Sequence, residues 1–231
     1  GNILSYTPNT IGFDSFGRVW VGSFEDDLNT PPARNGGLVY LDYEGSVINP
    51  TSTEWGSVDI NPGYTNNTVW SLAINDEDIL YALTPIGLLQ LTLQFSNAEP
   101  VKKYGYVYFP NISYGKGSKV RLDSRNNVWT ASPTQGVHVL TSGSTYWPDI
   151  NGFKRDNSQL LSNEVADIAF NNGEGLAYIA TSQGISVLRI PFAVRMDSYN
   201  KTRVFPSPYH LPSSSPLVID GLMDESTCKI M

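Results

Sequence analysis

Apolar and polar positions follow a pattern that recurs four times along the chain. Each copy has a short apolar run, a polar turn rich in Asp, Asn or Gly, a run centred on one aromatic residue, and a further apolar run. The copies are clearest at 120–140 and 165–188 and weaker at 11–42 and 69–91. Asp, Asn and Gly favour turns, while aromatic and β-branched residues favour strands. Each copy therefore predicts a small antiparallel sheet.

A glycine before the last apolar run marks the period of the repeat. The four glycines are Gly37, Gly87, Gly136 and Gly184, at separations of 50, 49 and 48 residues. Units of this length with several strands are typical of β-propeller blades, whereas helical solenoids show apolar residues at a period of roughly 3.6. The pattern predicts an all-β chain in which 1–202 forms the four blades of a propeller, either a whole ring or part of a larger one.

The pattern stops after residue 202. Residues 203–231 contain four prolines between 206 and 216 and offer at most two strand-like runs. Two strands alone are marginally stable in water. We therefore expect 203–231 to be a proline-rich linker and the beginning of a further domain, in a chain that is a fragment of a longer protein.

The net charge of the chain argues against some classes of binding partner. The chain of 231 residues has a net charge of −7, and no apolar run is long enough for a transmembrane helix. Nucleic acids and anionic membranes attract basic patches, so this acidic chain argues against both as partners. The single cysteine, Cys228, cannot form an internal disulfide and leaves the compartment undecided.

The two clearest copies resemble the two-component regulator propeller repeat. They read VRLDSRNNVWTASPTQGVHVL (120–140) and VADIAFNNGEGLAYIATSQGISVL (165–188), and the resemblance covers about residues 1–200. This repeat occurs in the extracytoplasmic sensors of bacterial hybrid two-component systems and in other exported bacterial propellers. The resemblance therefore implies an exported protein, in the periplasm or at the outer cell surface.

The C-terminal segment is similar to the opening of the C-terminal β-sandwich domain of proteins exported by the type IX secretion system. It is similar in particular to the junction in the exported propeller of that system's cell-surface attachment complex. Residues 204–208 would match the linker and 217–222 the first strand. That family usually has Pro-Asn-Pro where this chain has Pro206-Ser207-Pro208. The resemblance implies that 203–231 begins a β-sandwich.

Aromatic residues between the repeats are the candidates for ligand binding. Several lie in GSTYWPDINGFKRDNSQ (143–159), beside acidic, amide and basic side chains. The candidate residues are Trp147, Tyr146, Asp149, Asn151, Arg155, Trp55 and Tyr64. Exposed aromatics beside such groups stack on sugar rings and bond their hydroxyls, and they also suit protein interfaces. The alternative is that Trp147 only fills space between two blades.

The aromatic residue of each repeat fits a structural role. Recurrence at one position predicts the core between blades, and the residues are Trp20, Tyr81, Trp129 and Tyr178. The turn acids Asp14, Asp76, Asp78 and Asp123 lack the density of a calcium loop, so we expect them to cap turns.

The sequence predicts no metal site, cofactor or catalytic residue. Glu25, Asp26 and Asp27, in an insertion of the first copy, come nearest to a cation site, although an exposed loop is the alternative. His138 is expected on a blade surface. With His210 as the only other histidine, neither a zinc site nor a Ser-His-Asp triad is expected.

Together these patterns favour a non-enzymatic, exported β-propeller that serves as a binding or assembly platform for a glycan or a protein. The alternatives are the sensor region of a hybrid two-component regulator and, with less support, a propeller lyase or hydrolase. If the four blades form an open arc, apolar end faces would favour a homodimer with two-fold symmetry.

Overall fold

The fold is built from strands and turns. The computed structural model describes residues 7–24, 36–45, 50–60, 67–107, 109, 112–190, 202–205, 218–220, 222, 227 and 229. Within these residues the chain contains no helix.

Four antiparallel sheets follow one another along the chain, and each joins its strands in chain order. Blade 1 contains β1 (Thr7–Phe13), β2 (Val19–Phe24), β3 (Gly37–Gly45) and β4 (Pro50–Val58). Blade 2 contains β5 (Ser71–Ile74), β6 (Ile79–Thr84), β7 (Gly87–Leu93) and β8 (Val101–Val107). Blade 3 contains β9 (Lys119–Leu122), β10 (Val128–Ser132), β11 (Gly136–Leu140) and β12 (Tyr146–Trp147). Blade 4 contains β13 (Val165–Asn171), β14 (Leu176–Thr181) and β15 (Gly184–Arg189).

Each sheet contains one of the four sequence repeats. The strands join in the order in which they occur, as in the blades of a propeller. The predicted all-β, propeller-like fold is confirmed.

A separate two-stranded sheet follows the blades. It pairs β16 (Arg203–Phe205) with β17 (Val218–Asp220) in antiparallel register. Val204 and Phe205, which the sequence assigns to a linker, are therefore part of a strand. Residues 206–217 lie outside the described part of the chain, and the division at residue 203 stays a prediction.

The first strands of consecutive blades lie side by side. β1 lies beside β5, β5 beside β9, and β9 beside β13. Hydrogen bonds cross these junctions: the Leu72 N–H donates to Thr10 Oγ1 at 3.1 Å, and the Val120 N–H donates to Ser71 Oγ at 3.1 Å. Small hydroxyl side chains thus satisfy backbone donors where two blades meet.

Each junction between blades encloses an apolar core. Because side chains alternate between the two faces of a strand, one sheet packs against a different neighbour on each face. The core of blades 1 and 2 contains Trp20, Leu38, Leu72 and Leu80. The core of blades 2 and 3 contains Tyr81, Leu88, Val120 and Val128. The core of blades 3 and 4 contains Trp129, Val137, Ile168 and Ile179.

Three of the four repeat aromatics lie in these cores, as predicted. Trp20 and Trp129 are fully buried, and Tyr81 is 8% exposed. Tyr178 is the exception, with 37% of its surface exposed. It occupies the same repeat position, but it lies on the face of blade 4 that points away from blade 3, and among the described residues no further blade packs on that face.

A buried aspartate organises the first turn of blade 3. One oxygen of Asp123 accepts hydrogen bonds from the backbone N–H groups of Arg125 (2.9 Å) and Asn127 (3.1 Å). The Asn127 side-chain amide donates to both carboxylate oxygens at 2.9 Å. The indole N–H of Trp129 donates to Oδ2 at 2.9 Å. The capping role predicted for Asp123 is confirmed, and the carboxylate also orients the core tryptophan.

Blade 1 uses the same arrangement with a different donor. Asp14 accepts from the Arg18 backbone N–H (2.9 Å), from Arg18 Nε (2.7 Å) and from the Trp20 indole (2.8 Å). The Arg18 guanidinium is fully buried, and it lies 5.1 Å from the centre of the Phe16 ring and 5.5 Å from that of Trp20. Asp14 therefore also caps its turn, as predicted.

The acids of the second blade's turn connect neighbouring blades. Asp78 Oδ1 accepts from the backbone N–H of Ser15 in blade 1 at 2.8 Å. Asp76 Oδ1 accepts from Asn126 Nδ2 in blade 3 at 2.5 Å. The prediction that these two acids cap their own turn is not confirmed, because Asn75 caps that turn by accepting from the N–H groups of Glu77 and Ile79.

We predict that Asp123→Ala lowers the free energy of unfolding by about 2–4 kcal/mol, because the buried indole and backbone donors lose their acceptor. Urea unfolding followed by circular dichroism measures the change. Asp167→Ala is the matched control: it removes a half-exposed ion pair with Arg121, which contributes less than about 1 kcal/mol. Equal losses in the two variants would contradict the role given to Asp123.

Candidate functional site

The propeller has two rims, because antiparallel strands place successive turns at opposite ends of a blade. One rim carries the turns at 75–78, 123–127 and 141–145; we call it the turn rim. The other carries the turn at 133–135 and the segment 148–164 that connects blades 3 and 4; we call it the loop rim.

The two adjacent aromatic candidates of blade 3 point into different junctions. Tyr146 packs against Phe109, with ring centres 5.6 Å apart, in the core of blades 2 and 3. Trp147 packs against Trp129 (5.7 Å) and Phe153 (4.8 Å) in the core of blades 3 and 4. Both are half-buried. Their rings fix the start of the 148–164 segment, and the ligand-binding role stays a prediction.

The polar candidates of this segment are exposed on the loop rim. They are Asp149, Asn151 and Arg155. Asp149 Oδ1 accepts from the Asn151 backbone N–H at 2.7 Å, and Asn163 Oδ1 accepts from the Arg155 backbone N–H at 2.7 Å. These backbone contacts hold the loop so that a partner can reach the three side chains.

The remaining candidates lie elsewhere. Trp55 is half-buried on β4, the last strand of blade 1, two blades away from the 148–164 segment. Tyr64 lies outside the described residues, as do Glu25, Asp26 and Asp27. Within the part of the chain that the structure describes, no group of three or more His, Cys, Asp or Glu is placed to hold a metal ion.

His138 is buried, contrary to the expectation of a surface position. Only 2% of its surface is exposed, because the segment after Trp147 folds back over β11. Val137 and Phe153 exchange backbone hydrogen bonds of 3.0 and 2.7 Å. Gly152 lies against the imidazole with φ +64, and a Cβ there would come within 2.7 Å of His138 Cδ2. The Phe109 ring lies 6.1 Å from the imidazole on the side of blade 2. The equivalent residues Val39 and Leu89 are also buried, so this repeat position is a core position in blades 1, 2 and 3.

Burial also changes the titration of this imidazole. It lowers the pKa of His138 from 6.5 to about 4, and the charge of Lys154 acts in the same direction. Asp149 and a backbone hydrogen bond at Asn151 oppose the shift. His138 is therefore neutral at pH 7.

A cleft of about 680 Å³ opens on the turn rim between blades 2 and 3. Both blades contribute residues from their first turn and their second strand to this cleft. The lining residues are Asn75, Glu77, Ile79, Tyr81, Gln90, Arg125, Asn126, Val128, Leu140, Thr141, Ser142 and Ser144. This volume falls within the roughly 300–1,000 Å³ of small-molecule sites.

The lining combines apolar side chains with hydrogen-bonding groups. Ile79, Val128 and Leu140 are apolar, whereas amides, hydroxyls and two charged side chains supply donors and acceptors. Burial raises the pKa of the Tyr81 phenol, and the nearby charge of Glu77 raises it further. Tyr81 is therefore a neutral phenol that can both donate and accept a hydrogen bond.

Sequence reasoning did not identify this cleft. Glu77 and Arg125 occupy equivalent positions, each two residues after the residue that caps the first turn of its blade. Opposite charges at one repeat position in adjacent blades are a signal that can be read from aligned repeats, since the two turns are neighbours on the turn rim.

Comparison with known proteins supports the fold. Neither a protein-family model nor a curated protein sequence matches the chain. Among solved structures, it is similar to PorZ of Porphyromonas gingivalis, an essential surface component of the type IX secretion system, with TM-score 0.66, 19% identity and coverage of 94% of this chain. The chain spans 30% of the length of PorZ.

Two further structures are similar at TM-score 0.52. One is the extracellular domain of BT4673 of B. thetaiotaomicron, described as a one-component system, with 18% identity over 88% of this chain and 24% of that one. The other is XC5397, a gluconolactonase of Xanthomonas campestris, with 14% identity over 80% of this chain and 57% of that one. At these identities the likeness shows a propeller-like fold and leaves the activity open.

The described part of the chain holds no candidate for a membrane-spanning helix.

We predict that the free energy of unfolding decreases as the pH is lowered below neutrality, and that His138 causes this decrease. The pKa of His138 in the folded protein (about 4) lies below the ordinary value of 6.5, so the unfolded chain binds the proton first as the pH falls. Stability is therefore fully present above pH 6.5 and is lost between about 6.5 and about 4, with a slope of up to about 1.4 kcal/mol per pH unit. Urea unfolding of the wild type and of His138→Gln across this range measures the slope. An equally steep slope in the variant would contradict the assignment to His138.

Proposed function

We propose that this chain belongs to an exported bacterial β-propeller that acts as a non-enzymatic binding platform, and that the cleft between blades 2 and 3 holds a glycan. The observation that carries the proposal is the cleft itself: a concave site of about 680 Å³ with apolar side chains among many hydrogen-bonding groups.

A sugar ring suits this lining. Its apolar face can lie on side chains such as Ile79 and Leu140, while its hydroxyls meet amides, hydroxyls and charged groups. Glu77 supplies a further acceptor and Arg125 a further donor among the residues that line the cleft. A neutral, hydroxyl-rich ligand also avoids the repulsion that an anionic polymer would meet from a chain with net charge −7.

The residues of the cleft favour binding over catalysis. Glycoside cleavage usually needs two carboxyl groups that flank the scissile bond. Among the described residues that line the cleft, Glu77 is the one carboxylate. XC5397 is a gluconolactonase with a similar fold. An assay of gluconolactone hydrolysis therefore tests the proposal that this chain binds its ligand without catalysis.

The similar structures support an exported location. PorZ is a bacterial surface component, and the compared part of BT4673 is extracellular. The resemblance of residues 203–231 to a type IX secretion domain agrees with the likeness to PorZ. The resemblance of the blades to the two-component regulator repeat agrees with the likeness to BT4673. A platform at the cell surface and the sensor region of a regulator both use a ligand site of this kind, so the binding proposal is common to both.

The exposed loop-rim residues Asp149, Asn151 and Arg155 remain a second candidate surface. They suit a protein partner better than a small ligand, because the described cleft lies on the opposite rim. Trp147 is unsuitable as a binding probe, since its ring contacts Trp129 and Phe153 in the core.

We predict that glycan-array screening detects saturable binding and that Arg125→Ala weakens it by roughly tenfold or more, corresponding to about 1.4 kcal/mol. Isothermal titration with the best glycan measures the affinities. Glu77→Gln tests the second charged group. Asp149→Ala and Arg155→Ala are matched controls that remove charges from the other rim and leave the affinity unchanged.

Two results would contradict this assignment. If only Asp149→Ala and Arg155→Ala lose affinity, the glycan binds at the loop-rim residues predicted from the sequence and the cleft is not its site. Absence of glycan binding by a folded sample would exclude the glycan proposal and favour a protein ligand.

A further inference from the structure

Two side chains of the cleft carry polar groups that have no hydrogen-bond partner within the described part of the chain. They are the phenol of Tyr81 and the side-chain amide of Gln90. The two residues lie directly opposite each other on β6 and β7, so their side chains share one face of blade 2. Tyr81 is only 8% exposed, and a phenol buried to this degree usually has a partner. The pair therefore points to a ligand that supplies the missing hydrogen bonds.

The equivalent pair of blade 1 is satisfied by the protein itself. Trp20 and Tyr40 lie opposite each other on β2 and β3, with ring centres 5.2 Å apart. The Trp20 indole donates to Asp14 at 2.8 Å, and the Tyr40 hydroxyl donates to the Asn97 carbonyl at 2.8 Å. Blade 1 thus uses both polar groups of the pair to hold its own turns.

The equivalent pair of blade 3 is Trp129 and Val139. The indole donates to Asp123 at 2.9 Å, and valine has no polar group. In blade 2 the residue that caps the first turn is Asn75, whose side-chain oxygen accepts from two backbone N–H groups of that turn. Of these three pairs, as far as the structure describes them, that of blade 2 alone presents free polar groups.

Blade 1 fills with its own side chains the place where blade 2 lines a cleft. The Arg18 guanidinium lies 5.1 Å from the centre of the Phe16 ring and 5.9 Å from that of Tyr40, beside the core of blades 1 and 2. Counted from the capping residue of the first turn, Phe16 and Arg18 correspond to Glu77 and Ile79 of blade 2. Both of these line the cleft. The cleft is therefore a departure from the repeat that is specific to blade 2.

We propose that Tyr81 and Gln90 make the cleft selective for acetamido sugars, in which an N-acetylated amino group replaces a hydroxyl; this assignment rests on the proposed glycan function. The Gln90 amide offers a carbonyl acceptor and N–H donors, which match the N–H and the carbonyl of an acetamido group. The Tyr81 phenol can donate to, or accept from, a neighbouring sugar hydroxyl.

The apolar part of the lining suits the methyl group of the same substituent. Ile79, Val128 and Leu140 line the cleft together with the polar pair. Contact between these side chains and the methyl group removes apolar surface from water. A sugar with a hydroxyl in place of the acetamido group lacks both the methyl contact and the second partner for the Gln90 amide. A site built around a hydrogen bond discriminates strongly against an analogue that cannot form it.

Matched pairs of sugars test the selectivity of the unmodified chain. On the glycan array, oligosaccharides of N-acetylglucosamine or N-acetylgalactosamine are compared with the corresponding oligosaccharides of glucose or galactose. Isothermal titration with triacetylchitotriose and cellotriose then compares two trisaccharides that differ only in the acetamido groups. We expect the acetamido member of the best pair to bind at least roughly tenfold more tightly.

Two conservative variants assign the selectivity to the pair. Gln90→Leu removes the amide at similar volume and should reduce the preference for the acetamido sugar at least roughly tenfold. Tyr81→Phe removes a single oxygen atom and should weaken binding of the acetamido sugar. Gln183→Leu makes the same chemical change as Gln90→Leu at an exposed residue in the turn between β14 and β15, and it should leave the affinity unchanged. Circular dichroism checks that each variant is folded.

The outcomes separate this inference from the glycan function on which it rests. Glycan binding without preference for acetamido sugars would overturn the inference and leave the binding function in place. The same holds for a preference that persists unchanged in both Gln90→Leu and Tyr81→Phe. Absence of binding to every glycan by the folded chain would overturn both.

Discussion

The hydrogen bond between a buried turn aspartate and the tryptophan six positions later ties the first turn of blades 1 and 3 to the apolar core. In blades 1 and 3 the carboxylate accepts the indole N–H at 2.8 and 2.9 Å, and it also accepts backbone N–H groups of the turn. One side chain therefore shapes the turn and orients the ring that fills the next junction. An indole buried without that acceptor would cost about 1–3 kcal/mol. A second side chain, four residues after the aspartate, also donates to the carboxylate. It is Arg18 in blade 1 and Asn127 in blade 3, so either residue type can fill this role.

Packing between blades also determines where ligands can reach the chain. The junction of blades 2 and 3 is apolar along the strands, but a cleft lined by polar side chains opens where the turns of the two blades stand side by side. Glu77 and Arg125 both line this cleft because they occupy the same place in successive repeats. The loop rim is different: Tyr146 and Trp147 are anchored in two cores, and the exposed residues after them are presented on a fixed loop.

Local patterns predicted the blades because they reflect local physics: turn acids, alternating strands and a regular glycine spacing. The burial of Trp20, Tyr81 and Trp129 followed from the repeat. The exposure of Tyr178 did not, because it depends on whether another blade covers that face. Burial of His138 was missed because the residue type varies at this repeat position, although Val39 and Leu89 are buried there as well. The cleft is lined by side chains that lie about one repeat apart in the sequence. The pattern within one repeat cannot show that they are neighbours in space.

The exchange of indole protons with solvent, followed by NMR, tests the central account most directly. The account predicts that the indole N–H groups of Trp20 and Trp129 exchange only when the protein unfolds globally, because both rings are fully buried and bonded to a carboxylate. The half-buried Trp55 should exchange much faster. Fast exchange at Trp20 and Trp129 in the folded protein would contradict the view that these bonds tie the turns to the core.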